Sequence, residues 1–204
     1  MRMPFWASGP LMLLAASLTL PAAAETPVSP SALISELASK APLFRSSRTL
    51  SSLERQRQLE KLLEEYFDMP RIAKSVLGNF WQGANVANRQ KFTKVLRNVM
   101  TRTYSDRFTR YSSDSFRVTS HRDLDATNTV VYSDVGDPVL GEQTKVEWHV
   151  VRRDGYRIVD VRIAGASLAK VMHDDFGSYL RRNNGDLPNL IGLLQAKLAA
   201  EKSN

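Results

Sequence analysis

The side chains here that could do chemistry are a few histidines, aspartates and one serine, and their spacing argues against most of it. The three histidines, His121, His149 and His173, lie far apart along the chain. His173-Asp174-Asp175 groups three metal-ligating side chains. Adjacent positions on a helix point in diverging directions, so this run converges poorly on one ion, and no metal is expected. Ser167 has no base near it in sequence and reads as a helix N-cap rather than a nucleophile. Asp160 and Asp134 are the candidates for acid–base work. Asp160 stands between Val159 and Val161, and a raised pKa there would be the mark of a working carboxyl. No nucleophile elbow, phosphate loop or metal-ligand run occurs, and there is no cysteine.

The elements that must hold these residues change period along the chain. Helical spacing runs first. Ser31–Phe44 places Leu33, Ile34 and Leu37 on one face, and Ser52–Tyr66 does the same with Leu53, Leu59, Leu62, Leu63 and Tyr66. Between them the serine-rich stretch 45–52 reads as a loop. From about Asn85 to Tyr111 a long helix carries Phe92, Val95, Leu96, Val99, Met100, Thr103, Tyr104 and Phe108 at i, i+3, i+4 spacing. Its cations read as a solvated face. The period then turns to two, over Phe116–Arg122, Thr127–Asp134, Lys145–Arg152 and Tyr156–Ala164. Gly136–Gly141 reads as a long loop between the middle pair. Asp154-Gly155 signals a tight hairpin that sets Val159, Val161 and Ile163 on one face. Ser167 then caps a helix through Arg182, and Asp186 caps a last one with Pro188 in its first turn. The expected fold class is α+β: a twisted antiparallel four-stranded sheet covered by helices from both the N- and C-terminal segments.

One stretch stands apart, Phe67–Trp81, reading FDMPRIAKSVLGNFW. Asp68 can cap a helix, and Pro70 sits in its first turn. Ile72, Ala73, Val76 and Leu77 form its apolar face, Gly78 stops it, and Phe80 and Trp81 follow as an aromatic plug. This stretch resembles the signature of the MlaC family, also called the toluene-tolerance or Ttg2 family. The likeness runs from about Leu33 to Lys197. It is carried also by Gln90-Lys91-Phe92 with Thr103-Tyr104, and by Asp154-Gly155 with Ile158-Val159-Asp160-Val161. Further matches are Gly165-Ala166-Ser167-Leu168, and Gly185 with Leu187, Leu190-Ile191 and Leu194. Two places depart from the family pattern. Tyr156 stands where the family has tryptophan, and of the segment Val171–Phe176 only the phenylalanine matches. Arg107-Phe108, Tyr111, Phe116 and Asp175-Phe176 are similar to the hopanoid-associated HpnM branch.

The resemblance implies a periplasmic phospholipid-binding protein that shuttles lipid between membranes. It implies a phospholipid or hopanoid ligand, no cofactor and no catalysis. Its partners would be an inner-membrane lipid ABC transporter complex and an outer-membrane lipoprotein complex, and the carrier itself would be a monomer. It further implies an apolar cavity between sheet and helices. The candidate sheet wall is Val130, Tyr132, Val146, Trp148, Val150, Val159, Val161 and Ile163. The candidate helical wall is Ile72, Val76, Leu77, Trp81, Phe92, Leu96, Val99 and Met172. A small periplasmic enzyme on a similar fold, using Asp160, is the alternative of another class.

The start of the chain and its charge fit export. Arg2 gives a positive leader start, Leu11–Leu20 is an apolar run too short to span a bilayer, and Ala22-Ala23-Ala24 is a cleavage pattern. Residues 1–24 are therefore expected to be a signal peptide, and 25–204 one lipid-binding domain. With no disulfide available, that domain must hold itself by its core. The chain has 28 basic and 21 acidic residues, a net +7. The cations are dispersed and the protein is expected in the periplasm, so no nucleic-acid partner is expected; anionic headgroups or acidic protein surfaces fit better.

Overall fold

Capping residues set the helix boundaries. The computed structural model describes residues 29–40, 51–108, 116–136 and 143–200. The expected leader, the 45–50 part of the serine-rich loop, the end of the long helix beyond Phe108 and most of the Gly136–Gly141 loop fall outside them. Helix α1 (Pro30–Lys40) follows Ser29, whose hydroxyl accepts from the Ala32 N–H at 3.1 Å. Helix α2 (Ser52–Tyr66) begins with a capping box: Ser51 Oγ accepts from the Glu54 N–H, and the Glu54 carboxylate accepts from the Ser51 N–H at 2.8 Å. Asp68 caps α3 (Met69–Leu77) by accepting from the Arg71 N–H at 3.0 Å. Gly78 ends α3 at φ +54°, a conformation that Cβ-bearing residues avoid. The aromatic plug coils into a single turn, α4 (Phe80–Gly83), ahead of the long α5 (Val86–Phe108).

Among the described residues five antiparallel strands follow in the order β1-β2-β3-β4-β5. They are β1 (Phe116–Asp123), β2 (Asn128–Gly136), β3 (Gln143–Arg152), β4 (Tyr156–Ile163) and β5 (Ala166–Ser167). The first four match the expected strands. The fifth is two residues folded back on β4, Arg162 opposite Ser167, too short to leave any periodic signal. Arg152 pairs with Tyr156, so the hairpin turns through Arg153, Asp154 and Gly155, the last two at positive φ. Helices α6 (Leu168–Arg182) and α7 (Leu187–Ala200) close the chain. The Gly185 N–H bonds the Leu180 carbonyl at 2.8 Å across the break between them.

Register decides which strand face meets the helices. Val131 pairs with Trp148 and Trp148 with Val161, and all three join the helices in one buried cluster. Val130 therefore pairs with His149, and Tyr132 with Glu147, on the opposite face. A bulge in β4 corrects a second expectation. Val150 pairs with Ile158 while His149 pairs with Asp160, so Val159 is the extra residue. The inward set is thus Ile158, Val161 and Ile163, and Val159 drops out of it. Helix α1 lies against β1, β2 and β3, while α3 and α6 pack together and reach β4.

Candidate functional site

The helices do not fill the concave side of the sheet. A cavity of about 300 Å³ remains between them. Helix α1 supplies Ile34, Leu37 and Ala38, and α2 supplies Leu59, Leu62 and Leu63. Phe67, Ile72, Met100 and Tyr104 add the wall from the middle of the chain, and Leu168, Ala169 and Met172 close it from α6. The sheet contributes Phe116, Val135, Thr144, Val146, Trp148, Val161 and Ile163. Polar side chains are few: Tyr104, Thr144, Asp160 and the indole nitrogen of Trp148. That nitrogen is spoken for, since it donates to Ser133 Oγ at 2.9 Å. A wall of this kind offers hydrocarbon contact and almost nothing that could fix a polar substrate.

Of the candidate lining residues, the structure brings together Ile72, Val146, Trp148, Val161, Ile163 and Met172 around the cavity. Val76, Leu77, Phe92 and Leu96 are buried in the core instead, with Val99 packed beside them. The Phe92 ring meets Phe176 edge-on at 6.0 Å. Trp81 is half-buried, with the Arg89 guanidinium 5.3 Å from its ring. Val150 is buried one row beyond the cavity. Val130 and Tyr132 are on the opposite sheet face, and Val159 is the bulge residue. The lining from α1 and α2 was not among the candidates, although the apolar faces of both helices were visible in their spacing. Nothing local ties those faces to a sheet that begins only at Phe116.

The polar residues with possible chemistry are held in structural roles. Asp160 accepts from the Ser167 hydroxyl at 2.6 Å and from the Ala169 N–H at 3.1 Å, while Ser167 Oγ caps α6 by accepting from the Lys170 N–H. His173 Nδ1 lies 3.0 Å from the Val76 carbonyl, which can only accept, so Nδ1 carries the proton. His149 has its pKa lowered, first by burial, with Arg162 and Arg122 adding to the effect and Asp160 and Glu147 opposing it. Asp134 stands on the outer sheet face between Arg117 and Lys145. Among the described residues no three His, Asp or Glu side chains converge as a metal site would require.

Residues 43–196 match the family model described as MlaC protein. The chain belongs to the MlaC family. A solved structure with the same fold is that of a phospholipid-binding protein from Ralstonia solanacearum in complex with a phospholipid. It superposes with a TM-score of 0.69 at 18% identity, over 83% of this chain and 94% of that one. No curated protein sequence matches this one. Among the described residues no helix is long and apolar enough to cross a membrane.

Proposed function

We propose that this protein is a periplasmic lipid carrier, exported by its leader and folded over residues 25–204 as one lipid-binding domain. Its cavity would hold phospholipid acyl chain in passage between an outer-membrane lipoprotein complex and an inner-membrane lipid ABC transporter complex. The observation that carries this reading is the cavity: hydrocarbon on nearly every side, walled by a sheet and five helices. The relative solved with a phospholipid shares the fold that frames it.

The magnitudes suit a carrier. A methylene occupies roughly the volume of a water molecule, about 30 Å³, so 300 Å³ holds on the order of ten methylenes. At about 0.8 kcal/mol each, their transfer from water is worth at most about 8 kcal/mol before ordering costs. Such binding is in the micromolar range or weaker, enough to retain lipid briefly and weak enough to surrender it.

Native mass spectrometry of the leaderless protein purified from a bacterial periplasm, followed by solvent extraction, tests the proposal. A phospholipid bound at near-unit stoichiometry is expected. A hopanoid in its place, from a host that makes hopanoids, would assign the chain to the hopanoid branch. Empty protein that takes up no lipid from phosphatidylglycerol vesicles would overturn the carrier reading and return Asp160 to attention.

A further inference from the structure

On the sheet side the cavity has an open end and a closed end. Its lining residues fall in successive cross-strand rows. Phe116, Val135 and Thr144 make the first, and Val146 and Ile163 the second. Trp148 and Val161 make the third, and Asp160 beside Val161 is the last strand residue to border the cavity. In the next row Thr129, Val150 and Ile158 are all buried, yet none borders the cavity. Val131, the β2 partner of Trp148, is fully buried and does not border it either. At the opposite end Phe116, Thr144 and Ile163 are half-buried and Ala166 is exposed. A chain entering past these residues and running along the sheet meets the indole of Trp148 where the packing turns solid.

That indole is fixed in place. Trp148 is 6% exposed and its Nε1–H donates to Ser133 Oγ. Ser133 is 2% exposed and belongs to the row of Val146, one step nearer the mouth. The bond therefore ties the ring back toward the second row, where it borders the cavity. The Phe116 ring, 6.3 Å away and tilted by 59°, flanks it. Turning the indole away would strand a buried donor and a buried hydroxyl together, so the ring keeps one orientation.

We propose that Trp148, positioned by Ser133, is the end-stop that sets the length of acyl chain this protein accepts. The inference rests on the carrier reading and adds a residue that determines specificity within it. Replacing indole by a leucine side chain frees roughly 60 Å³, about two methylenes at about 30 Å³ each. Ser133→Ala keeps the ring but releases it, so length discrimination should blur without moving in one direction.

The leaderless protein and its Trp148→Leu, Trp148→Phe, Ser133→Ala and Val146→Phe variants would be offered mixed vesicles of dilauroyl, dimyristoyl, dipalmitoyl and distearoyl phosphatidylglycerol. Native mass spectrometry then reads the bound species. Trp148→Leu should shift the preferred chain longer by about two carbons, and Trp148→Phe by less. Val146→Phe, which adds bulk nearer the mouth, should shift it shorter and serves if the tryptophan variants do not fold. Folded variants that load the same species as the parent would overturn the end-stop while leaving the carrier intact. A parent that loads none of the four would overturn the carrier reading and the end-stop with it.

Discussion

The Ser167 hydroxyl donates to Asp160 at 2.6 Å, and the same hydroxyl receives the Lys170 N–H that opens α6. One serine thus joins the last long strand to the helix that closes the cavity, and the carboxylate is occupied as an acceptor twice. Ser167→Ala removes the cap and one of those bonds. It should lower unfolding free energy by about 1–2 kcal/mol in urea titrations. Asp160→Asn should also destabilise, by about 1 kcal/mol, and leave lipid stoichiometry unchanged. Loss of any measurable turnover in a stable Asp160→Asn protein would instead mark Asp160 as a working carboxyl.

Helix α1 is tied to α2 by a small polar cluster. Tyr66 Oη donates to Glu36 at 2.6 Å, Lys40 Nζ lies 2.7 Å from Glu65, and the same ammonium sits 4.8 Å from the centre of the Tyr66 ring. Burial, then the neighbouring Glu36 carboxylate, pushes the Tyr66 hydroxyl up to about 12. A pKa raised on folding means the folded state holds its proton longer than the unfolded chain. The stability it contributes is complete below about pH 10 and is lost as pH rises toward about 12. Lys40 is also raised: burial works against it, but the bonds to Glu65 and Tyr66 prevail. Tyr66→Phe should cost about 1 kcal/mol at neutral pH and flatten the alkaline decline seen by circular dichroism. Because α1 forms part of the cavity wall, bound lipid should also leave that variant faster.

How much of this was legible in the sequence follows from how local each signal is. The caps at Asp68, Ser167 and Asp186 and the stop at Gly78 are written within four residues of where they act, and all appear where expected. Strand faces depend on perfect alternation. In β2, Val130 and Val131 are adjacent and both buried, so hydrophobicity could not say which one faces the helices. In β4 the bulge at Val159 shifts the inward face by one residue, and Ile158 to Val161 reads as a uniform apolar run with one aspartate. The cavity was harder still. Ile34, Leu37, Leu59 and Leu62 look in sequence like any amphipathic helix face. Only their placement opposite Trp148 and Val146 distinguishes lining from core.

Gly78 and His173 form a close contact between α3 and α6. A Cβ built on Gly78 would lie 2.6 Å from His173 Cε1, and the glycine already holds φ +54°. The imidazole cannot retreat freely, because its Nδ1–H is bonded to the Val76 carbonyl. Gly78→Ala should therefore destabilise by about 1–3 kcal/mol, combining backbone strain and overlap. Adding His173→Ala removes the overlap but not the strain. The double variant should lose less than the sum of the single ones by more than about 0.5 kcal/mol in a thermodynamic cycle. Strict additivity would show that backbone strain alone accounts for the glycine.

His149 gives the fold an acid-sensitive point. Its ring is half-buried on the outer sheet face, with Glu147 4.0 Å from Nε2 and with Asp160, Arg162 and Arg122 around it. Burial comes first in holding its pKa below the usual 6.5, with Arg162 and Arg122 contributing and Asp160 and Glu147 opposing. A lowered pKa means the unfolded chain takes up the proton first. The stability His149 contributes is complete above about pH 6.5 and is lost as pH falls through the lower folded value. Urea midpoints compared at about pH 7.5 and about pH 5 should therefore fall for the parent protein and fall less for His149→Gln. Equal losses in both would place the acid sensitivity elsewhere, and a proton NMR titration of the His149 ring in the folded protein would then give a midpoint at or above 6.5.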